Sequence, residues 1–208
     1  MRLCLVRHGE TAWNAEQRMQ GWTDIPLNAQ GERQARALAA ALRGQAFDAI
    51  VASPLQRALH TAQAVAAGRT ASAVEQDARL RERHHGDLQG LTRGEIAAAA
   101  PAIHEALQAR RPGYQPPGGE SVEAFAARVH AAMQALRHRF HGGTVLAVAH
   151  GGVLDIAYRL ATDADLHSPR QHALPNAAIN WLRATPAGWA VEAWGQDDHL
   201  SHALDDSG

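Results

Sequence analysis

The sequence predicts an α/β protein, a doubly wound three-layer sandwich built around a mostly parallel central sheet. Three observations support this fold class. Short apolar runs of strand length alternate with longer helical patterns. Two of these runs end in histidine followed by glycine, and the 208 residues are enough to bury a substantial core. We expect a single domain over residues 1–208, with a lid or insertion around 83–120.

The elements of the amino-terminal half follow from apolar runs punctuated by glycine, proline and capping residues. A loop from Trp13 to Pro26 separates the first strand from the first helix. Ser53-Pro54 is expected to open the second helix, with proline in its favoured first position. The predicted elements are a strand at Leu3–Val6, a helix from Asn28 to about Leu42, a strand at Phe47–Ala52, a helix to about Ala67 and a weaker strand at Ala73–Gln76.

The carboxyl-terminal half begins with the loop Leu80–Leu91, which is rich in arginine, histidine and glycine. The predicted elements after it are helical sequence at Thr92–Arg110 with a break at Pro101, a loop at Arg111–Glu120, an amphipathic helix at Ser121–Phe140, a strand at Thr144–Ala149, a helix at Val153–Leu160 and a hairpin of Ala178–Ala184 with Trp189–Trp194. The polar tail from Gln196 to Gly208 is expected to fray.

The composition excludes several classes of function. Twenty Lys and Arg against 21 Asp and Glu give no overall field that would gather nucleic acid or an anionic membrane. The only cysteine, Cys4, is expected to pack as a small apolar residue in the first strand. The amino-terminal apolar run is too short for a signal peptide, so we expect a cytoplasmic protein. The 13 histidines form no recognisable ligand motif, and His84-His85, His138 and His141 are interpreted as surface or loop residues.

The chemistry-bearing residues stand where strands end. Arg7-His8-Gly9 follows the first strand, and His150-Gly151-Gly152 follows the strand at Thr144–Ala149. If the two strands are parallel neighbours, both imidazoles emerge at one edge of the sheet. Arg57 lies one turn into the helix after the second strand, near the same edge. Two guanidinium groups and two imidazoles would form a compact pocket for a tetrahedral anion.

These residues resemble the histidine phosphatase superfamily, also called phosphoglycerate mutase-like, from Leu3 to about Leu182. Five segments carry the resemblance in the family's order: Leu5–Asn14 (LVRHGETAWN), Ser53–Ala58 (SPLQRA), Leu80–Glu82 (LRE), Pro117–Ser121 (PGGES) and Ala149–Gly152 (AHGG). Any one of these segments alone would be weak support. Together they form a specific pattern.

The resemblance implies a role for each matching position. His8 is the nucleophile that attacks phosphorus. Glu82 protonates the leaving oxygen and later deprotonates water. The residues assigned to the phosphate or substrate are Arg7, Asn14, Gln20, Gly21, Arg57, His150 and Gly151. No metal and no cofactor is implied, because the arginines and His150 supply the positive charge. The expected partner is a small phosphorylated metabolite, without nucleic acid or membrane, and a homodimer is one option for the assembly.

Several alternatives remain open. Glu10 and Glu120 rival Glu82 as the acid, and Asn176 and Asn180 either face the site or shape a turn. A phosphoglycerate mutase dependent on 2,3-bisphosphoglycerate is the main alternative function, since Arg93, Arg110 and Arg111 could bind a carboxylate and a second phosphate.

Three departures favour a phosphatase: His85 stands where mutases have tyrosine, Gly152 where they have asparagine, and the segment before the long helix is short. A shortened lid would admit water to the phosphohistidine. A non-catalytic phosphate-binding protein is the third alternative.

Overall fold

The computed structural model describes residues 1–69 and 73–201. Within them the strands are β1 (Arg2–Arg7), β2 (Ala49–Ala52), β3 (Val74–Gln76), β4 (Thr144–Ala149), β5 (Ile179–Thr185) and β6 (Gly188–Gln196). The helices are α1 (Ala12–Ala15), α2 (Ala29–Ala41), α3 (Gln56–Ala66), α4 (Arg93–Ala99), α5 (Pro101–Gln108), α6 (Val122–Arg139) and α7 (Gly151–Thr162). Single 3₁₀ turns occur at Ala78–Leu80, Gly86–Leu88 and Asp198–Leu200.

All the described strands belong to one sheet in the order β3-β2-β4-β1-β5-β6. The pairs β1·β4, β2·β4 and β2·β3 are parallel, whereas β5 runs antiparallel to both β1 and β6. The central strands are buried on both faces, as their continuous apolar sequences predict. The carboxyl ends of β1, β2 and β4 therefore meet at one edge of the sheet.

Helices cover both faces of this sheet. On one face α6 and α7 pack against Leu5, Val51 and Ala147. On the other face α2 and α3 pack against Cys4, Ile50 and Val148. Successive strand residues point to opposite faces, so each central strand contributes to both cores. The predicted doubly wound sandwich is confirmed, and so is the burial of Cys4 among apolar side chains in β1.

The structure departs from the predicted elements in three places. Helix α3 begins at Gln56 rather than at Ser53-Pro54, because the Asp24 carboxylate accepts a hydrogen bond from the Gln56 amide at 2.8 Å. A short helix, α1 (Ala12–Ala15), overlaps the start of the predicted loop Trp13–Pro26. Part of the predicted tail is ordered, since Leu200 is buried; residues 202–208 of that tail lie outside the described residues.

Residues 83–120, the predicted lid, contain the break expected at proline. Helix α4 ends at Ala99, and Pro101 occupies the first turn of α5. The Arg110 guanidinium then pairs with Asp155 of α7 at 3.1 Å, and the Arg110 carbonyl accepts a hydrogen bond from His167 at 2.8 Å. These two contacts hold Arg110, which lies just after α5, against α7 and the loop that follows α7.

Candidate active site

The register of two parallel strands brings the two histidines together. Arg7, the last residue of β1, is paired with Ala149, the last residue of β4. The next residue of each strand is a histidine, and the His8 amide still bonds to the Ala149 carbonyl at 3.0 Å. The ring centroids of His8 and His150 are 5.1 Å apart, and both side chains are buried. The sequence placed both rings at one sheet edge, and the structure has them there.

The His8 ring is held in one tautomer. Its Nδ1 lies 2.6 Å from the Gly9 carbonyl oxygen, which can only accept, so Nδ1 carries the proton. The other nitrogen, Nε2, then keeps its lone pair. Burial lowers the pKa of His8 well below its usual value, and Arg57 and Arg7 lower it further, against the hydrogen bond to Gly9. His8 is therefore a neutral imidazole with a nucleophilic nitrogen.

Two arginines flank the histidines, Arg57 buried and Arg7 partly buried. The Arg57 guanidinium is anchored by the carbonyls of Thr23 and Gly21 at 3.0 and 2.8 Å, and that of Arg7 is anchored by the Leu174 carbonyl. Burial lowers the pKa of both groups, that of Arg57 to about 10, while nearby Glu82 raises both. Both arginines thus remain cationic at neutral pH, and the Nε atom of each is buried without a partner among the described residues.

His150 is oriented by Ser53 at the end of β2. The Ser53 hydroxyl oxygen accepts a hydrogen bond from the Leu55 amide at 3.3 Å and lies 2.8 Å from His150 Nε2. Burial lowers the pKa of His150 well below its usual value, with Arg57, His8 and Arg7 acting in the same direction. If the Ser53 hydroxyl donates to Nε2, the proton of the neutral ring is on Nδ1. That atom is buried and has no partner among the described residues.

Glu82 is the carboxyl group beside this cluster. One of its oxygens accepts a hydrogen bond from the Arg83 amide at 2.8 Å, and the other accepts from the Gly152 amide at 3.0 Å. The Gly152 bond fixes the carboxyl at the first turn of α7, the helix that His150 begins. The rival acids are engaged elsewhere: Glu10 accepts from Asn28, and Glu120 pairs with Arg128.

The remaining predicted phosphate-binding residues surround the cluster in different ways. The Asn14 side-chain oxygen Oδ1 accepts from the Thr11 amide at 3.2 Å and closes a capping box at α1. Gly21 contributes its carbonyl to Arg57, and Gln20 is buried beside it. Gly151 borders Arg7, since a Cβ added there would lie 3.6 Å from Arg7 Nε. Their direct contact with a phosphate stays a prediction.

A cavity of about 200 Å³ opens on the Glu82 side of the cluster. Glu82 and Gly152 line it, whereas Arg7, His8, Arg57 and His150 do not, so it adjoins the histidine pair without containing it. The cavity is lined by five arginines, which are Arg83, Arg93, Arg110, Arg111 and Arg170. Against them stand two carboxylates, Glu82 and Asp155. The balance of charge favours an anionic occupant.

His85, interpreted from the sequence as a surface or loop residue, lies in a loop but faces this cavity. Burial lowers its pKa to about 3, helped by Arg83, His84 and Arg93. A histidine pair in a glycine-rich loop does not indicate from sequence how far its side chains are buried, because a loop's position depends on the elements that pack around it.

The sequence model of the histidine phosphatase superfamily (branch 1) matches residues 3–197, nearly the whole described chain. The chain belongs to this superfamily. Its enzymes include phosphatases and mutase-like proteins, and the relatives of this chain carry both kinds of name. Phosphoglycerate mutase-like protein 4 of Arabidopsis thaliana is 35% identical over 201 residues, covering 95% of this chain and 86% of the relative. The metal-independent phosphoserine phosphatase of the same plant is also 35% identical, covering 96% and 83%.

The structural comparison agrees with the superfamily assignment. The structure of YhfR from Bacillus stearothermophilus superimposes with a TM-score of 0.89 at 35% identity, covering 96% of this chain and 98% of that one. This chain is thus an enzyme of the histidine phosphatase superfamily, of phosphatase or mutase-like type. Within residues 1–69 and 73–201, no helix is long and apolar enough to cross a membrane.

Several residues that support the site were not found from the sequence. Thr61 accepts a hydrogen bond from the Gly9 amide at 3.0 Å, and Ser53 holds His150. Asn176, left open between site and turn, donates to the His8 carbonyl at 2.9 Å, whereas Asn180 bonds to backbone inside the sheet. Trp22 donates to the Glu82 carbonyl at 2.7 Å. These contacts join residues far apart in the chain, which local patterns do not report.

Proposed function

We propose that this chain is a phosphatase that hydrolyses small phosphomonoesters through a covalent phosphohistidine on His8. One observation carries the proposal: a neutral imidazole with a free Nε2 stands against a second imidazole and two arginines, of which Arg57 is buried and Arg7 partly buried. The unpartnered Nε atoms of Arg7 and Arg57 and the Nδ1 atom of His150 are donors that a phosphoryl group would satisfy. Pairing such buried donors with phosphate oxygens contributes to binding.

The first step transfers the phosphoryl group to His8. The lone pair of His8 Nε2 attacks phosphorus as the bond to the ester oxygen breaks, and Glu82 gives its proton to the departing oxygen. Arg7, Arg57 and His150 bind the oxygens on which negative charge spreads in the transition state. No metal is needed for this charge, and the name of the metal-independent phosphoserine phosphatase relative is consistent with that.

The second step returns the enzyme to its starting state. Glu82, now a carboxylate, takes a proton from water, whose oxygen attacks phosphorus as the bond to Nε2 breaks. Inorganic phosphate leaves, and His8 regains its neutral form. Glu82 is placed for both steps because it borders the cavity in which we put the leaving group. The arginines of that cavity favour a leaving group that itself carries negative charge.

A phosphoglycerate mutase is the second candidate. Arg93, Arg110 and Arg111 all line the cavity beside Glu82, as this alternative requires, with 2,3-bisphosphoglycerate as its cofactor. We prefer the phosphatase because Gly152 and the short segment before α6 depart from the mutase pattern. The proposal carries with it the expectations of a cytoplasmic location, of no cofactor and of a small phosphorylated metabolite as partner.

The proposal is tested by trapping the intermediate. Incubation with a ³²P-labelled phosphomonoester followed by a quench should yield an adduct that is labile to acid and stable to base, as a phosphohistidine is. The His8→Ala variant should yield none, and activity should survive a chelator. Labelling of the variant would refute the assignment of His8.

Two further results separate the alternatives. Rapid formation of 2-phosphoglycerate from 3-phosphoglycerate without release of phosphate would establish the mutase. Binding of phosphate without turnover of any ester would indicate the third alternative, a non-catalytic phosphate-binding protein.

A further inference from the structure

Arg128 of α6 has every side-chain donor occupied. A guanidinium carries five N–H groups. Two of them form a bidentate pair with the Glu120 carboxylate, at 3.0 and 2.8 Å. The others donate to the carbonyls of Arg79, Arg81 and Glu82, at 2.8, 3.0 and 3.2 Å. Arg128 therefore has no donor left for a substrate, and its bonds go to Glu120 and to the segment that carries Glu82.

The three carbonyls define one stretch of backbone. Residues 79–82 lead from the 3₁₀ turn after β3 to the carboxyl of Glu82, and they lack helix or strand partners over Arg81 and Glu82. Trp22 adds a second donor to the Glu82 carbonyl at 2.7 Å, with the Arg81 guanidinium 4.8 Å from its ring centroid. The backbone before Glu82 is thus fixed by side chains of α6 and of the loop that contains Trp22.

Glu120 fixes the backbone after Glu82. Its carboxylate accepts a hydrogen bond from the His84 amide at 2.8 Å, and its own amide donates to the His84 carbonyl at 2.8 Å. The Glu120 carbonyl also accepts from Arg83 Nε at 2.8 Å. The carboxylate of Glu120 therefore bonds both to Arg128 and to the backbone of the loop that follows Glu82.

We infer that the Arg128–Glu120 pair positions the carboxyl of Glu82 for proton transfer, without touching the substrate. The inference rests on the proposed function, in which Glu82 is the acid. The pair holds the peptide units on both sides of Glu82, while the Gly152 and Arg83 amides orient its carboxyl. A displacement of about 1 Å in such a group can cost about a hundredfold in rate.

The test is the Arg128→Lys variant with two esters that differ in their need for an acid. Lysine offers three donors in place of five and cannot form a planar bidentate pair. Benzyl phosphate has a leaving alcohol that must be protonated, whereas p-nitrophenolate leaves without a proton. We expect kcat/KM to fall about tenfold to a hundredfold for benzyl phosphate. For p-nitrophenyl phosphate we expect kcat/KM to change within about twofold, because kcat/KM reports the transfer to His8, in which p-nitrophenolate leaves without a proton.

Three controls accompany this comparison. Arg139→Lys changes an exposed arginine of the same helix, one that pairs with Glu75. This variant should leave kcat/KM for both esters unchanged. Glu82→Gln should reproduce the selective loss on benzyl phosphate. In the double variant Glu82→Gln/Arg128→Lys, the benzyl phosphate rate should be no lower than in Glu82→Gln alone, because the positioned proton is already gone.

The outcomes separate this inference from the proposed function. An equal loss on both esters in folded Arg128→Lys would overturn the positioning role, since a general structural defect does not select for leaving group. If that variant does not fold, Glu120→Gln, which removes the charge at constant size, must show the same selective loss or the inference fails. A wild-type protein that hydrolyses neither ester would instead refute the proposed function.

Discussion

At the scale of single residues, Gly152 has no room for a side chain. A Cβ added at this position would lie 2.1 Å from Glu82 Oε1 and 3.0 Å from Phe125 Cε1. At Gly151 the same addition meets only Arg7, at 3.6 Å or more, which is ordinary contact. Both glycines belong to the first turn of α7, so alanine has the same effect on helix propensity at each.

We therefore predict different outcomes for Gly152→Ala and Gly151→Ala. The first should displace the Glu82 carboxyl and lower kcat/KM for an alkyl phosphate by about tenfold to a hundredfold. The second should leave kcat/KM within about threefold, because an ordinary contact needs no rearrangement. Phosphate release at a series of substrate concentrations measures both, with thermal unfolding as the check on folding. Equal activities would mean that Glu82 adjusts freely.

The residues of the site itself were predictable because their positions follow from strand ends. His8 and His150 each come directly after an apolar run, and parallel pairing then dictates that they meet. The residues that position the histidines and Glu82 were not predictable. Ser53 reaches His150 across 97 residues, and Arg128 reaches Arg79 across 49. Such contacts depend on how helices lie on the sheet, and no local pattern encodes that arrangement.

At the scale of elements, Asp155 links α7 to the end of α5. It is buried, and its carboxylate contacts Arg110 at 3.1 Å, Arg159 at 3.2 Å and His172 at 3.5 Å. Removing one member of a buried ionic group leaves the others buried without compensation. Asp155 was read from the sequence only as part of a helix, because its position among apolar residues of α7 gives no sign of the arginines it meets.

Asp155→Ala should lower the free energy of unfolding by about 3–5 kcal/mol. The matched control is Glu75→Ala, which removes the exposed carboxylate that pairs with Arg139 and should cost about 0–1 kcal/mol. Urea unfolding followed by circular dichroism gives both values. Similar costs for the two substitutions would show that the Asp155 contacts contribute no more than a surface pair.

The starts of two helices differ in the same way, since one is fixed by a neighbouring residue and the other by a distant loop. Helix α6 begins after Ser121, where the predicted helix starts, and the Ser121 hydroxyl caps the Ala124 amide at 3.1 Å. Helix α3 begins later than predicted because its cap comes from Asp24, 32 residues away. Capping by a neighbour in sequence is visible beforehand, whereas capping by a distant loop is not.

At the scale of the whole molecule, the buried neutral histidines make stability depend on pH. The folded chain lowers the pKa of His8 and His150, mainly through burial, so neither binds a proton near pH 6. In the unfolded chain a histidine protonates below about pH 6.5. Unfolding therefore takes up protons as the pH falls through that value, and acidification from pH 7 to pH 5 should destabilise the protein.

Each such histidine contributes up to about 1.4 kcal/mol per pH unit to this slope. The His8→Gln variant should show a shallower loss of unfolding free energy between pH 6.5 and pH 5. The same substitution at the exposed His138 should leave the slope unchanged. Denaturant unfolding in phosphate-free buffer measures the slopes, because bound phosphate would itself stabilise the folded state. An unaltered slope in His8→Gln would contradict the lowered pKa.

Cys4, the only thiol of the chain, lies with no exposed surface in the middle of β1. It is separated from His8 by three residues of the same strand, with β4 on one side and β5 on the other. Burial also raises its pKa far above the ordinary value, which suppresses the reactive thiolate. A thiol reagent can therefore modify Cys4 only when the middle of the sheet opens, so the rate of labelling at Cys4 reports how often the strand that leads to the proposed nucleophile, His8, opens.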